Sequence, residues 1–169
     1  MPELPEVETI KQTLKQLVIG KTIEEVNVFW GNIIKQPEDL LEFKTKLCGQ
    51  TIRDIRRRGK FLLFDLDDDV LVSHLRMEGR YALHEQSDPV DKHTHVTFLF
   101  SDGSELRYRD VRKFGTMHLF LKGTETVGPP LSKLGVEPLT AEFTLTVLKD
   151  RFQRTTRNCK AVLLDQSVV

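Results

Sequence analysis

Cysteine is scarce in this sequence, with two residues, Cys48 and Cys159, among 169. That scarcity excludes a four-cysteine zinc site and a disulfide framework within the chain, and it fits a reducing compartment. Long apolar runs are missing: none approaches the ~20 residues needed to span a bilayer. The N-terminus has neither the basic start nor the apolar stretch of a secretory signal. No charge dominates, since 25 Lys and Arg stand against 25 Asp and Glu. Zero net charge argues against a generic nucleic-acid coat protein, whose affinity would come from overall basicity. A local basic groove remains open. Repeats and low-complexity tracts are also absent. The expectation is an ordinary globular chain of the cytoplasm, long enough to bury about 68–70% of its unfolded surface.

What is present begins with a helix. In MPELPEVETIKQTLKQLVIGK, Val7, Ile10, Leu14 and Leu17 recur at steps of three and four and so share one face. Pro5 suits the first turn, Glu6 and Glu8 complement the positive end of the dipole, and Gly20 is a natural stop. A second short helix is expected over residues 37–47, with Leu40, Phe43 and Leu47 inward and Gly49 ending it. From Thr51 the pattern becomes β, with runs at 52–58, 61–66, 70–75, 80–83, 95–100, 105–110 and 116–121. Asp102-Gly103 between two alternating runs is a strong hairpin signal. The fold class that follows is mainly β with flanking helices, an antiparallel β-sandwich or flattened barrel of about eight strands. Gly128-Pro129-Pro130 breaks the pattern, and residues 144–152 and 158–166 look helical again. The expected organisation is a sandwich domain at 1–135 and a linker leading into a helical domain at 136–169. The chain ends on an uncapped apolar run, so the natural protein is expected to continue beyond Val169.

Three constellations could carry chemistry. Proline is a small second residue, so Met1 is normally removed, leaving Pro2 with a free secondary amine. An α-amino group titrates at about 7.7–8.0, so much of it is a neutral nucleophile at working pH, able to form a Schiff base with a carbonyl carbon. Glu3 and Glu6 place two carboxylates beside it for proton transfer or positioning. The plainer reading is that Met-Pro starts are common and acidic residues at a helix start complement its dipole. Next, IRDIRRRGKFL gathers Arg53, Arg56, Arg57, Arg58 and Lys60 at one hairpin tip. These could neutralise backbone phosphates, or form a solvated surface paired with the acidic run Asp67 to Asp69. Finally, HLRMEGRY and ELRYRDVRKFG interleave Met77, Tyr108 and Phe114 with His74, Arg76, Arg80, Arg107, Arg109, Arg112 and Lys113. Phe114 falls in a loop, where an aromatic is poorly placed for a core. Exposed apolar wedges beside arginines suit insertion into a base stack, although each residue taken singly could be ordinary core or surface.

MPELPEVET, RRGKFL, SHLRMEGRY, DGSELRYRDVRKFGTM and KAVLLDQ together resemble formamidopyrimidine-DNA glycosylase, the bacterial repair enzyme for oxidised purines such as 8-oxoguanine. The likeness runs over the whole chain. The MEGR and RDVRKFG segments look like the purine-specific branch rather than the endonuclease VIII branch. The resemblance implies a glycosylase and AP lyase in which Pro2 attacks C1′ of a flipped nucleotide. Glu3 would be the acid/base at the sugar ring, and Glu6 would hold the helix start in register. Lys60 would contact the phosphates flanking the lesion and help handle the damaged base, and His74 would contact phosphate. Met77, Arg112 and Phe114 would fill the vacated space, with Arg112 bonding the orphaned cytosine. Arg109 is carried over only as a supporting DNA contact. The implied partner is double-stranded DNA with an oxidised purine, bound by a monomer in the cytoplasm near the nucleoid, without a membrane.

The same resemblance implies a continuation through a helix-two-turn-helix domain and a four-cysteine zinc finger, so zinc is expected outside these residues and no metal within them. The chain alone is then expected to bind DNA weakly and to excise little. The alternative is a non-catalytic fragment of the same fold that binds damaged DNA or a partner. A tautomerase with an N-terminal proline is disfavoured, because such chains are much shorter and lack both loops.

Overall fold

The computed structural model describes residues 1–169, which form two compact units, Met1–Lys122 and Gly123–Val169. The first unit opens with helix α1 (Leu4–Val18), then strands β1 (Ile23–Val28) and β2 (Ile34–Gln36) and helix α2 (Leu40–Leu47). The strands that follow are β3 (Asp54–Arg58), β4 (Phe61–Asp65), β5 (Asp69–His74), β6 (Arg80–Glu85), β7 (Thr94–Phe100), β8 (Ser104–Arg109) and β9 (Thr116–Leu121).

Alternation sorts these strands into two sheets, ordered β1-β7-β8-β6 and β2-β9-β5-β4-β3. Every pairing is antiparallel except β2 with β9. Phe64, Leu71 and Met117 from one sheet meet Phe98, Leu106 and Tyr108 from the other in a single apolar core. The structure thus holds nine strands, β1 and β2 being additional to those expected, and the sheets do not close into a barrel. Helix α1 lies along the edge strand β3, where closure would have to occur. It is tied there by Lys15 to Asp54 at 3.4 Å and Arg57 to Glu8 at 2.8 Å.

The inward face of α1 is Val7, Leu14 and Val18, not Leu17, which is 40% exposed. At about 100° per residue, Val18 points only about 20° from Val7 and Leu17 about 80° away. Helix α2 starts later than expected, because the Asp39 carboxylate accepts the Leu41 N–H at 2.9 Å and fixes the first turn.

The tether at Glu8 yields a pH-dependent prediction. Lys11 at 2.7 Å and Arg57 hold the Glu8 carboxyl down at about 2, with the Lys11 hydrogen bond the larger cause. A lowered folded-state value stabilises the fold above the ordinary 4.5, and that contribution disappears as pH falls toward 2. Because Glu8 is 36% exposed, the effect is modest, below about 1 kcal/mol. Glu8→Gln is therefore expected to lower the thermal midpoint slightly at neutral pH and to melt like the wild type near pH 2.

The second unit carries helices α3 (Leu145–Gln153) and α4 (Cys159–Leu163). Thr144 and Asn158 cap them through the Val147 and Ala161 N–H groups at 3.2 and 2.9 Å. Its own ties include the Gly135 N–H to the Gln166 carbonyl at 2.8 Å and Arg157 to Asp165 at 3.0 Å. The division after Lys122 follows the last strand, ahead of the boundary after residue 135 that the local breakers suggested.

Candidate active site

The site begins where α1 begins. Glu3 is the extended residue capping the helix, and Glu6 reaches back so that its Oε2 accepts the Glu3 N–H at 2.6 Å. Glu6 therefore stiffens the segment that carries Pro2. The Glu3 side chain is 66% exposed and meets Lys60 Nζ at 2.8 Å. Lys60 stands at the tip of the β3–β4 hairpin, where Arg58 pairs with Phe61 and leaves a two-residue turn. Gly59, at φ +58, takes its first position, a conformation suited to glycine. Arg57 donates to the Gly59 carbonyl at 3.0 Å as well as to Glu8, which holds the tip against α1. The Lys60 ammonium holds the Glu3 carboxyl below its ordinary value, so Glu3 is an ionised base at neutral pH.

Pro2 and Glu6 line a cleft of about 490 Å³ together with Met1, Met77, Gly79 and Tyr81. His74, at the end of β5, is buried with its ring edge on Phe61, 4.6 Å between centroids. Its Nδ1 accepts the Arg76 N–H at 2.9 Å, so the neutral ring carries its proton on Nε2 and offers a donor. Burial, then the charges of Arg76 and Lys60, lower His74 to about 4, keeping it neutral at physiological pH.

The two loops that carry the apolar tips share one backbone device. Arg76 and Lys113 are the two non-glycine residues with positive φ, at +54° and +61°, and they immediately precede Met77 and Phe114. Each strained N–H is held by a side chain upstream, Arg76 by His74 and Lys113 by Asp110 Oδ1 at 3.1 Å. Such strain persists where surrounding bonds over-determine it, and it concentrates at functional sites. Met77 is 43% exposed and Phe114 55%. Arg112 reaches toward the first loop, its Nε 3.5 Å from Glu78.

Arg109 pairs with Asp91 at 3.4 Å and lines an adjoining cleft of about 350 Å³, which shares Arg80 and Tyr81 with the first. Of the arginine cluster, Arg53 pairs with Asp67 at 2.7 Å and Arg56 with Asp65 at 2.6 Å, so much of its charge is matched by acids on neighbouring segments. Lys60 is the member that reaches Glu3. Sequence reasoning passed over Glu78 and Asp110. An aspartate just before a basic loop is a turn former, and that signal could have found Asp110. No three His, Cys, Asp or Glu side chains are arranged to hold a metal ion, and both cysteines are exposed. The residues present do not fit zinc.

Fold and site define a β-sandwich whose N-terminal residues line a cleft, beside a carboxylate–lysine pair and a loop tipped by Met77. Comparison with known proteins makes the class specific. Residues 1–117 match the sequence model of the formamidopyrimidine-DNA glycosylase N-terminal domain. The formamidopyrimidine-DNA glycosylase of Cytobacillus firmus is 64% identical over all 169 residues, which span 62% of its length. That of Bacillus subtilis is 60% identical, with 61% of its length spanned. Among solved structures, Lactococcus lactis Fpg complexed with abasic-site DNA superposes with a TM-score of 0.90 at 37% identity, covering 99% of this chain and 62% of that one. MutM in complex with carbocyclic 8-oxo-G containing DNA gives 0.90 at 38% identity, covering 99% of this chain and 63% of that one. The chain belongs to the formamidopyrimidine-DNA glycosylase family.

Proposed function

We propose that this chain is the nucleophile-bearing part of a base-excision repair glycosylase and AP lyase acting on oxidised purines in duplex DNA, among them 8-oxoguanine and formamidopyrimidines. The observation that carries the reading is the convergence of Pro2 and Met77 in one cleft, with Glu3 paired to Lys60 beside Pro2. Relatives and neighbours of this family, solved with abasic-site and 8-oxo-G DNA, support it.

With Met1 removed, the neutral Pro2 amine attacks C1′ of the extruded nucleotide. A C–N bond forms as the bond to the base breaks, and the base leaves with the electron pair and takes a proton from solvent. Glu3, ionised at the outset, accepts the proton of the Pro2 nitrogen. It returns that proton to the ring oxygen as the C1′–O bond opens, leaving an iminium between Pro2 and C1′. Because proline is a secondary amine, this iminium has no N–H to lose and stays cationic. It therefore acidifies the C2′–H, whose loss expels the 3′ phosphate. A second elimination expels the 5′ phosphate, and hydrolysis frees Pro2.

Lys60 and the His74 Nε2–H serve the flanking phosphates in this reading. Met77, Arg112 and Phe114 occupy the space the nucleotide leaves, Arg112 bonding the widowed cytosine. Arg109, in the adjoining cleft, contributes a supporting backbone contact. Zinc belongs to a segment that these residues do not supply, and the working site is cytoplasmic, at the nucleoid. No helix here is long and apolar enough to cross a membrane.

The test is a duplex with 8-oxoguanine opposite cytosine, treated with a full-length protein containing this chain. The expected product is a one-nucleotide gap with phosphate at both ends, and no cut in undamaged duplex. An uncut lesion strand at excess protein rejects the reading. Met1 lines the cleft as the chain is written, and a retained Met1 would favour a non-catalytic binding module. The N-terminal mass decides between the two.

A further inference from the structure

We propose that Tyr108 and Asp110 are positioning residues that lock the Met77 loop and the Arg112–Phe114 loop into one rigid insertion unit. The inference rests on the reading that these loops enter damaged DNA, and it assigns a role to side chains that themselves touch none.

Tyr108 is anchored below the loops. It is fully buried on β8, directly opposite Tyr81 on β6, with ring centroids 5.2 Å apart. Tyr81 in turn packs edge-on against Phe64 of the other sheet at 5.4 Å. The Tyr108 hydroxyl donates to Asp110 Oδ2 at 2.9 Å, and the same oxygen accepts the Gly115 N–H at 2.8 Å. Asp110 Oδ1 accepts the Lys113 N–H. One fully buried carboxylate therefore closes the Val111–Phe114 loop from both sides and ties it to a core aromatic.

The same hydroxyl reaches the other loop. A Cβ built on Gly115 would fall on the Tyr108 hydroxyl, and so would a Cβ built on Gly79, at the end of the Met77 loop. Neither glycine has positive φ, so both are required by close approach and not by backbone freedom. Two loops far apart in sequence thus close on one oxygen. At Gly79 the Leu75 carbonyl also crowds that position, whereas at Gly115 the crowding comes from the Tyr108 hydroxyl and the Asp110 carboxylate that it bonds. The Lys113 ammonium adds a third brace, 4.1 Å from the ring centre of Trp30, the single tryptophan of the chain.

Side chains that replace a nucleotide must stand in place while the stack tries to close, and ordering them in advance removes that cost from the binding step. The lock acts on insertion, and leaves the chemistry at an already open sugar to Pro2 and Glu3.

The experiment uses Tyr108→Phe and Asp110→Asn in a full-length protein containing this chain, with a cooperative melt as the check on folding. Tyr108→Phe changes only the hydroxyl and carries the test alone if Asp110→Asn unfolds. Three readouts apply: Trp30 emission in the folded state, excision of 8-oxoguanine from duplex, and cleavage at an abasic site in single-stranded DNA, where there is no stack to invade. Loss of the one hydrogen bond should cut duplex excision by up to about tenfold. Single-strand cleavage should change by less than about twofold, and Trp30 emission should shift as Lys113 leaves its ring. Unchanged emission and duplex excision overturn the proposal, and so does an equal fall in both activities. If the wild type cuts neither the lesion duplex nor the single-stranded abasic site, the glycosylase reading fails instead, and the emission shift alone decides whether the lock exists.

Discussion

A protein in which Pro2→Glu also keeps Met1 in place is expected to lose base excision and strand cleavage together, by at least about 10³-fold. The loss follows from where the nitrogen sits. As a chain terminus it is an amine that is partly neutral near pH 8, whereas inside a peptide bond its lone pair is delocalised and unavailable. Met1 lines the same cleft but its amine stands one residue away along the chain, and Lys60 is paired with Glu3. Pro2 precedes the first helix and belongs to no part of the apolar core. Its replacement should therefore leave the thermal midpoint within the range of a neutral surface change, about 0.5 kcal/mol. The assay is cleavage of a lesion duplex beside an intact-mass measurement confirming that Met1 remains. Undiminished cleavage with Met1 present would remove Pro2 from the mechanism.

Glu3→Gln is expected to slow excision by about 10²- to 10⁴-fold, the usual worth of a positioned acid/base. Glutamine keeps the shape of the side chain, but it cannot take the proton from Pro2 or return one to the ring oxygen. The capping geometry survives, because the bond from Glu6 goes to the backbone N–H of residue 3. The pH profile separates this from a packing effect. Lys60 holds the Glu3 carboxyl below its ordinary value, by hydrogen bond first and by charge second. The proton-accepting form is thus present above that lowered value and lost as pH falls through it. The wild-type rate should fall on that acid limb, Lys60→Ala should move the limb upward, and Glu3→Gln should abolish it. A Glu3→Gln rate within about threefold of wild type would be far too small a change for a proton-transfer residue.

The parts of the fold that could be read from sequence were those with local causes. Strand β9 falls at the residues its alternation marks, 116–121, and the Asp102-Gly103 turn joins β7 to β8 as expected. Strand β1 was missed because IEEVNV does not alternate: its pairing with β7 shifts register between Ile23 and Glu25, and exposure runs over two successive residues. A bulge of this kind erases the period that sequence reading relies on. The sandwich of two sheets was legible in the succession of short strands, whereas the docking of α1 along the edge strand β3 was not.

The site divided along the same line. Phe114 stood out because an aromatic in a glycine-bounded loop has no core to enter, and it is exposed. The place of Arg109 was decided by pleat. Tyr108 turns into the core, so its neighbour on β8 must turn outward, toward the adjoining cleft. The meeting of Glu3 with Lys60 could not be inferred from spacing, because it depends on how α1 lies on β3. Family resemblance gave Glu3 and Lys60 separate roles and did not pair them.

The central claim is that the Pro2 nitrogen forms the covalent bond to DNA, and borohydride reduction followed by peptide mapping tests it most directly. A full-length protein containing this chain, incubated with an 8-oxoguanine duplex and reduced, should yield one cross-linked peptide. The account predicts the adduct on the N-terminal nitrogen of Pro2, with Met1 gone. An adduct on Lys60, or none from a protein that still cuts the strand, would contradict it.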